Sequence, residues 1–165
     1  MSHEATLRAF APADLPALHR IRAAAFAPVF ASFRTIVGEE IAAVAFASAE
    51  AEQARDLDEI CADGSAHELL VAMLGDERIV GFVALSVDQA ARTGEIGLNA
   101  VDPGFAGRGI GTAMYEAALA RMKALGAVVA TVGTGGDASH AAARRAYAKA
   151  GFGPGVPSVH LYRLL

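Results

Sequence analysis

The chain has 165 residues, of which 54% are hydrophobic and 19% charged, with a formal net charge of -4 and one cysteine. That length suits one domain spanning residues 1–165 that buries roughly two-thirds of its unfolded surface, and that apolar content excludes a disordered chain. The acidic balance without a clustered basic stretch argues against nucleic acid, and no apolar run reaches the ~18 residues needed to cross a bilayer.

Thr6 to Phe10 predicts a short first strand, and Pro12-Ala13-Asp14 opens a helix carrying Leu15, Leu18, Ile21, Arg22 and Ala25 at helical spacing, which Pro28 is expected to end. Gly38 to about Ala62 is alanine-rich, with Ile41, Val44, Ala45, Leu57, Ile60 and Cys61 at helical intervals: one helix, or two broken near Ser48. His67 to Leu74 and Ile79 to Val87 are near-continuous apolar runs joined by Gly75-Asp76-Glu77-Arg78, the pattern of a hairpin at the centre of a sheet. Gly94 to Val101 predicts the next strand. Gly109 to Leu125 then reads as a helix with Ile110, Ala113, Met114, Ala117, Ala118, Met122 and Leu125 on one face and Gly126 as its cap. Ala127 to Val132 predicts a strand, Asp137 to Ala150 a helix closed by Gly151, and Val156 to Leu164 a last strand.

The glycine-rich turn between the fourth strand and the following helix carries the strongest chemical signal. Gly107, Gly109 and Gly111 leave no Cβ between the backbone and a ligand, and the free N–H groups of a helix's first turn favour an anion. A nucleotide-triphosphate loop would need lysine at Ile110 and a hydroxyl at Gly111, so that pattern fails. A dinucleotide fingerprint starting at Gly107 meets Thr112 in place of its third glycine and follows the wrong strand. A plain strand-to-helix connection without a ligand stays open for the loop taken alone.

Val101-Asp102-Pro103, then Ala106-Gly107-Arg108-Gly109-Ile110-Gly111, resembles the pyrophosphate-binding motif of the GNAT N-acetyltransferase superfamily, [QR]-x-x-G-x-[GA] after a strand ending in Val-x-Pro. Ala106 replaces the usual Arg or Gln, which leaves any side-chain contact to phosphate to Arg108. About thirty residues on, His140-Ala141-Ala142-Ala143-Arg144-Arg145-Ala146-Tyr147-Ala148-Lys149-Ala150-Gly151-Phe152 resembles the family's closing motif, N-x-x-A-x-x-x-Y-x-x-x-G-F, with His140 in place of Asn. The resemblance implies an α/β (α+β, mixed-sheet) acyl-CoA N-acyltransferase fold, its central sheet flanked by helices and splayed between strands four and five. It also implies that Asn99, Ala100 and Val101 offer backbone groups to the pantetheine arm of acetyl-CoA, while Ala106, Gly107, Arg108, Gly109, Ile110, Gly111 and Thr112 cradle its pyrophosphate and His140 touches it. Gly97 is the expected bulge that opens the splay.

Acetyl transfer from a thioester to an amine needs an acid for the departing thiolate and a base for the ammonium. By resemblance, Tyr147 is the acid; a phenol, with its ordinary pKa of about 10, keeps its proton at neutral pH. Glu95, thirteen residues before Arg108, stands like the glutamate of histone-type members and is the candidate base. Both have plainer readings, a packed tyrosine and an exposed strand glutamate. The five histidines lie far apart and no pair has zinc-helix spacing, so no metal is expected. Cys61, in an apolar helix pattern, reads as an inert core thiol, and with no internal disulfide available and a polar start at Met1-Ser2-His3-Glu4 a cytoplasmic protein is expected. A small-molecule or peptide amine acceptor is expected among Phe26, Phe30, Phe33, Phe46, His160 and Tyr162, beside Glu39 and Glu40; a homodimer is an expectation by analogy. The alternative is a non-catalytic acyl-CoA-binding or regulatory module of the same fold.

Overall fold

The computed structural model describes residues 5–75 and 78–165; Met1 to Glu4, and Asp76 and Glu77 of the turn expected from the sequence, lie outside the described residues. In chain order the elements are β1 (Thr6–Ala9), α1 (Leu15–Val37), α2 (Glu39–Ala45), α3 (Ala49–Cys61), β2 (Glu68–Leu74), β3 (Arg78–Asp88), β4 (Thr93–Val101), α4 (Ile110–Ala124), β5 (Val129–Val132) and α5 (Ala141–Lys149). The strands form one mixed sheet in the order β1-β2-β3-β4-β5, antiparallel except for the parallel β4–β5 pair. The β2–β3 hairpin is central, and β3 is buried along most of its length, as its unbroken apolar run requires.

Helices cover both faces. On one, Ile110, Met114, Tyr115, Ala118 and Met122 of α4 and Tyr147 of α5 pack on Val80, Val83, Leu85 and Ile96. On the other, Leu18 and Ile21 of α1 and Leu57 of α3 pack on Leu69, Val71, Phe82 and Ala84. Helix α4 sits close because β4 carries glycine beneath it: a Cβ on Gly94 would stand 2.6 Å from Met122 Sδ.

Three sequence expectations need correction. Pro28 does not end α1, which runs on to Val37. The missing N–H leaves the carbonyl of Ala24 without its helical donor, but Ala24 and Pro28 are both exposed, where that loss costs least, and the buried Val29 and Phe30 hold the helix beyond. The helix expected from Asp137 begins as a 3-10 turn at Ala138–His140, capped by the Asp137 side chain accepting from Ser139 N–H, and becomes α-helical from Ala141 to Lys149. Residues 156–164 form no strand: they follow Phe152 as an extended segment without a sheet partner, and most of their apolar side chains face solvent. The expected break near Ser48 is found between α2 and α3.

Candidate functional site

The fourth strand delivers the chain into the glycine loop through Asp102. Its carboxylate accepts from Gly104 N–H at 3.0 Å and from the Arg20 guanidinium of α1 at 3.0 Å. That Arg20 contact is the main reason the carboxyl titrates below its ordinary range. Beyond the turn, Gly107 and Gly109 take φ of 76° and 79°, values that L side chains adopt at a cost, and so turn the backbone into the first turn of α4. The backbone N–H groups of residues 107–112 have no acceptor among the described residues; the first bond of the helix runs from Ala113 N–H to the Gly109 carbonyl. Ala106, Gly107, Gly109, Ile110, Gly111 and Thr112 line a cavity of about 690 Å³. Arg108 does not line it: its guanidinium lies over the Phe105 ring, 5.0 Å from the centroid.

The cavity continues down the open edge of β4. Strand β5 pairs with β4 only from Thr93 to Ile96, so among the described residues β4 beyond Ile96 has no neighbour on that side and the sheet splays there. The register explains the divergence. Val83 faces Asn99 while Leu85 faces Ile96, which sets both Gly97 and Leu98 against Ala84 in a bulge. Asn99, Ala100 and Val101 line one wall of the gap and Gly133 and Thr134 lie across it.

At the floor, three side chains form a closed set. Asn99 donates from Nδ2 to the Gly97 carbonyl at 2.9 Å and to the Tyr147 hydroxyl at 3.1 Å, and accepts from the Tyr115 hydroxyl at 2.8 Å. The Gly97 carbonyl can only accept, which fixes the amide with nitrogen toward Tyr147. Tyr147 therefore receives a hydrogen bond at its oxygen, and among the described residues its hydroxyl has no acceptor in hydrogen-bonding geometry. Burial, with the Tyr147 phenol adding to it, pushes Tyr115 well above the usual phenol range. The two rings lie 4.5 Å apart between centroids.

His140 lines the same cavity two helical turns before Tyr147. Its Nδ1 is 2.7 Å from Asp137 Oδ1, which leaves Nε2 without a partner among the described residues, and its ring stacks on Phe33 of α1 at 5.8 Å and 21°. Asp137 also accepts from the hydroxyls of Ser139 and Ser32. Burial raises the Asp137 carboxyl, but the bonds from Ser139, Ser32 and His140 outweigh it and hold the group far below the usual carboxylate range. Arg144 fixes this corner by donating to the carbonyls of Gly135 and Asp137.

Glu95 is not brought into this group. It lies on β4 between Ser86 of β3 and Thr131 of β5, exposed, outside the cavity lining and without a side-chain bond among the described residues. The aromatic residues expected around an acceptor separate: Phe26 lines the cavity, Phe30 is buried, and Phe33, Phe46 and Tyr162 form a cluster beside His140. Glu39 borders a second, shallower groove with Phe46, and His160 is exposed. Cys61 is half-buried, and burial, with Asp58 nearby, pushes its thiol up, away from nucleophilic reactivity. Sequence reasoning missed Tyr115, Ser32 and the structural part of Asp137. Only Asp137 left a signal, its i, i+3 spacing to His140; Tyr115 looked like one more residue on a helix, and Ser32 is 105 positions from its partner.

The sequence matches the profile of the Acetyltransferase (GNAT) family over residues 35–152. No curated protein matches it. Among solved structures, a Trypanosoma brucei acetyltransferase superposes with a TM-score of 0.60 at 18% identity, covering 97% of this chain and 100% of that one. The enzyme AAC(6')-Iy in complex with the bisubstrate analogue CoA-S-monomethyl-acetylneamine gives 0.63 at 15%, covering 98% and 99%. A transcriptional regulator from Bacillus halodurans gives 0.65 at 20%, covering 97% and 100%. At such identities these likenesses speak for the fold.

Proposed function

The chain belongs to the acetyltransferase (GNAT) family, and from that premise we propose that it is an acetyl-CoA-dependent N-acetyltransferase, one domain over residues 1–165, acting in the cytoplasm on a primary amine of a small molecule or peptide. The observation that carries this reading is the row of unpaired N–H groups at residues 107–112, of which Gly107, Gly109, Ile110, Gly111 and Thr112 line the cavity. Five main-chain donors at a helix start match a diphosphate in charge and in hydrogen-bonding sense. They also make good the lack of a side-chain donor at Ala106.

Bound acetyl-CoA supplies an acetyl group activated as a thioester, open to direct attack by an amine. The unpaired edge of β4 at Asn99, Ala100 and Val101 receives the amide-bearing arm, as an added strand would be received. His140, its Nδ1 committed to Asp137, offers Nε2 to the same arm. Tyr147 holds the proton for the departing sulfur: Asn99 occupies its oxygen from one side and leaves the O–H hydrogen free. The acceptor amine gives its ammonium proton to solvent before it attacks, since Glu95 lies exposed and outside the cavity lining. The net charge of -4 favours a cationic acceptor.

A screen of acetyl-CoA against amines, amino acids and peptides, read by thiol release, tests the proposal. Release that depends on one amine class and falls in a Tyr147→Phe variant supports it. Binding of acetyl-CoA without release across the panel replaces it with the regulatory-module reading, which the alanine at position 106 favours.

A further inference from the structure

The cavity does not stay on one face of the sheet. Tyr115 and Tyr147 belong to the packing of α4 and α5 against one face, whereas Leu98 of β4 and Ala25 and Phe26 of α1 pack with the cluster on the other. All of these residues line the same cavity, so it passes from face to face around the open edge of β4. The two sides differ in chemistry. The α4 and α5 side carries the hydrogen-bonded set of Asn99, Tyr115 and Tyr147, while every α1 residue that reaches the cavity is apolar: Ala25, Phe26, Pro28 and Val29. Phe26 leans on the buried Phe30, with ring centroids 6.3 Å apart, which fixes this wall.

Among the described residues no aspartate or glutamate lines the cavity, and its charged side chains apart from His140, Arg145 and Lys149 of α5, are cationic. Asp56 and Glu59 line a separate groove that shares only Leu98 with it. A second ammonium on an acceptor would lose its water against phenylalanine and valine without a counter-charge, which is costly, whereas a hydrocarbon body gains by leaving water. Tyr147 meets the departing sulfur from the polar side. The attacking nitrogen has to come from elsewhere on the carbonyl carbon, and the apolar side is where room is left for it.

We propose that the acceptor is an apolar monoamine: one primary amine on an alkyl or arylalkyl body, seated against Phe26, Val29 and Leu98. This rests on the acetyltransfer reading above and names the substrate class for it. The amine arrives as an ammonium, leaves one proton in water and attacks neutral. The C–N bond forms as the C–S bond breaks; the nitrogen releases one further proton to water, and the thiolate takes the Tyr147 proton, which water restores. The acceptor then brings no charge into the apolar side.

The test uses conjugates in which the sulfur of CoA carries, through an acetyl linker, ethylamine, butylamine, hexylamine or the terminal diamine of hexylamine's length. Calorimetry reads their affinity for the full chain, and thiol release from acetyl-CoA reads the same amines free. Affinity is expected to rise about fourfold per methylene from ethyl to hexyl. The diamine conjugate is expected to bind about tenfold more weakly than the hexylamine one, and kcat/KM of the free amines to follow the same order. Phe26 is half-buried, and its variants are judged by ratios within each protein, so a general loss of stability cancels. Phe26→Ala is expected to lower the hexyl-to-ethyl ratio, and Phe26→Glu to bring the diamine above hexylamine. A flat series, a diamine bound as well as hexylamine, or ratios unmoved in both variants overturns the proposal. Transfer to free amines with a flat series overturns it alone; conjugate affinity that rises with length while no free amine is acetylated overturns the acetyltransfer reading and the proposal with it.

Discussion

Replacing Asn99 by alanine removes three hydrogen bonds at once, of 2.8, 2.9 and 3.1 Å. The most costly consequence falls on Tyr115, which is 4% exposed and has its hydroxyl left without an acceptor. An orphaned buried hydroxyl costs about 1–3 kcal/mol, so Asn99→Ala is expected to destabilise the fold by about 2 kcal/mol. In a chain of this length that lowers Tm by about 4–8 °C. Tyr115→Phe in the same chain removes the orphan, so the double variant is expected to be more stable than the sum of the singles by about 1 kcal/mol. Urea unfolding of the four proteins measures the coupling. Turnover supplies a second readout: in the proposed mechanism Asn99 acts through Tyr147, so Asn99→Ala is expected to slow the wild type and to add nothing in a Tyr147→Phe background. Additive stabilities, or an equal fall in turnover with and without the Tyr147 hydroxyl, would refute the reasoning.

Tyr147→Phe itself is expected to lower kcat by about 10²-fold while calorimetry shows unchanged CoA affinity. Asp137 has a depressed pKa in the folded state, so its contribution is present above its ordinary value of 3.8 and is lost as pH falls below it. Asp137→Asn is therefore expected to cost about 2 kcal/mol at neutral pH, with the gap to wild type narrowing in unfolding curves taken below about pH 4. Gly94→Ala sets a methyl 2.6 Å from Met122 Sδ and 3.2 Å from its Cβ. The overpacking is expected to cost about 2 kcal/mol in thermal unfolding and to be relieved by Met122→Ala.

The order of elements was legible because periodicity reports burial, and most elements here have one buried face. The hairpin, β4, α4 and the break near Ser48 stand where apolar spacing put them. Pro28 misled because its local rule counts the lost bond and the clash with the carbonyl four residues back, while here that position is exposed and packing at Val29 and Phe30 carries the helix on. The terminal segment misled for the opposite reason: its residues favour a strand, but a strand needs a partner edge, which no local pattern reports. At the cavity, the glycine loop stands where its spacing put a strand-to-helix turn, and Tyr147 stands on the helix where the resemblance of its motif put it. The Asn99–Tyr115–Tyr147 set was not, since it joins a strand to two helices across 48 positions. Arg108 and Glu95 show the limit of motif reasoning: a motif fixes the position of a residue, while a neighbouring ring or an open strand face decides where its side chain goes.

The claim on which the account rests is that the main-chain N–H groups of residues 107–112 bind the diphosphate of acetyl-CoA. Amide chemical shifts followed by NMR during a titration with CoA, and separately with pantetheine, which lacks the diphosphate, test it residue by residue. CoA is expected to shift the amides of residues 107 and 109–112, which line the cavity, most, and pantetheine to leave them in place while moving the amides of residues 99–101. CoA binding that leaves the amides of 107–112 unshifted would contradict the account.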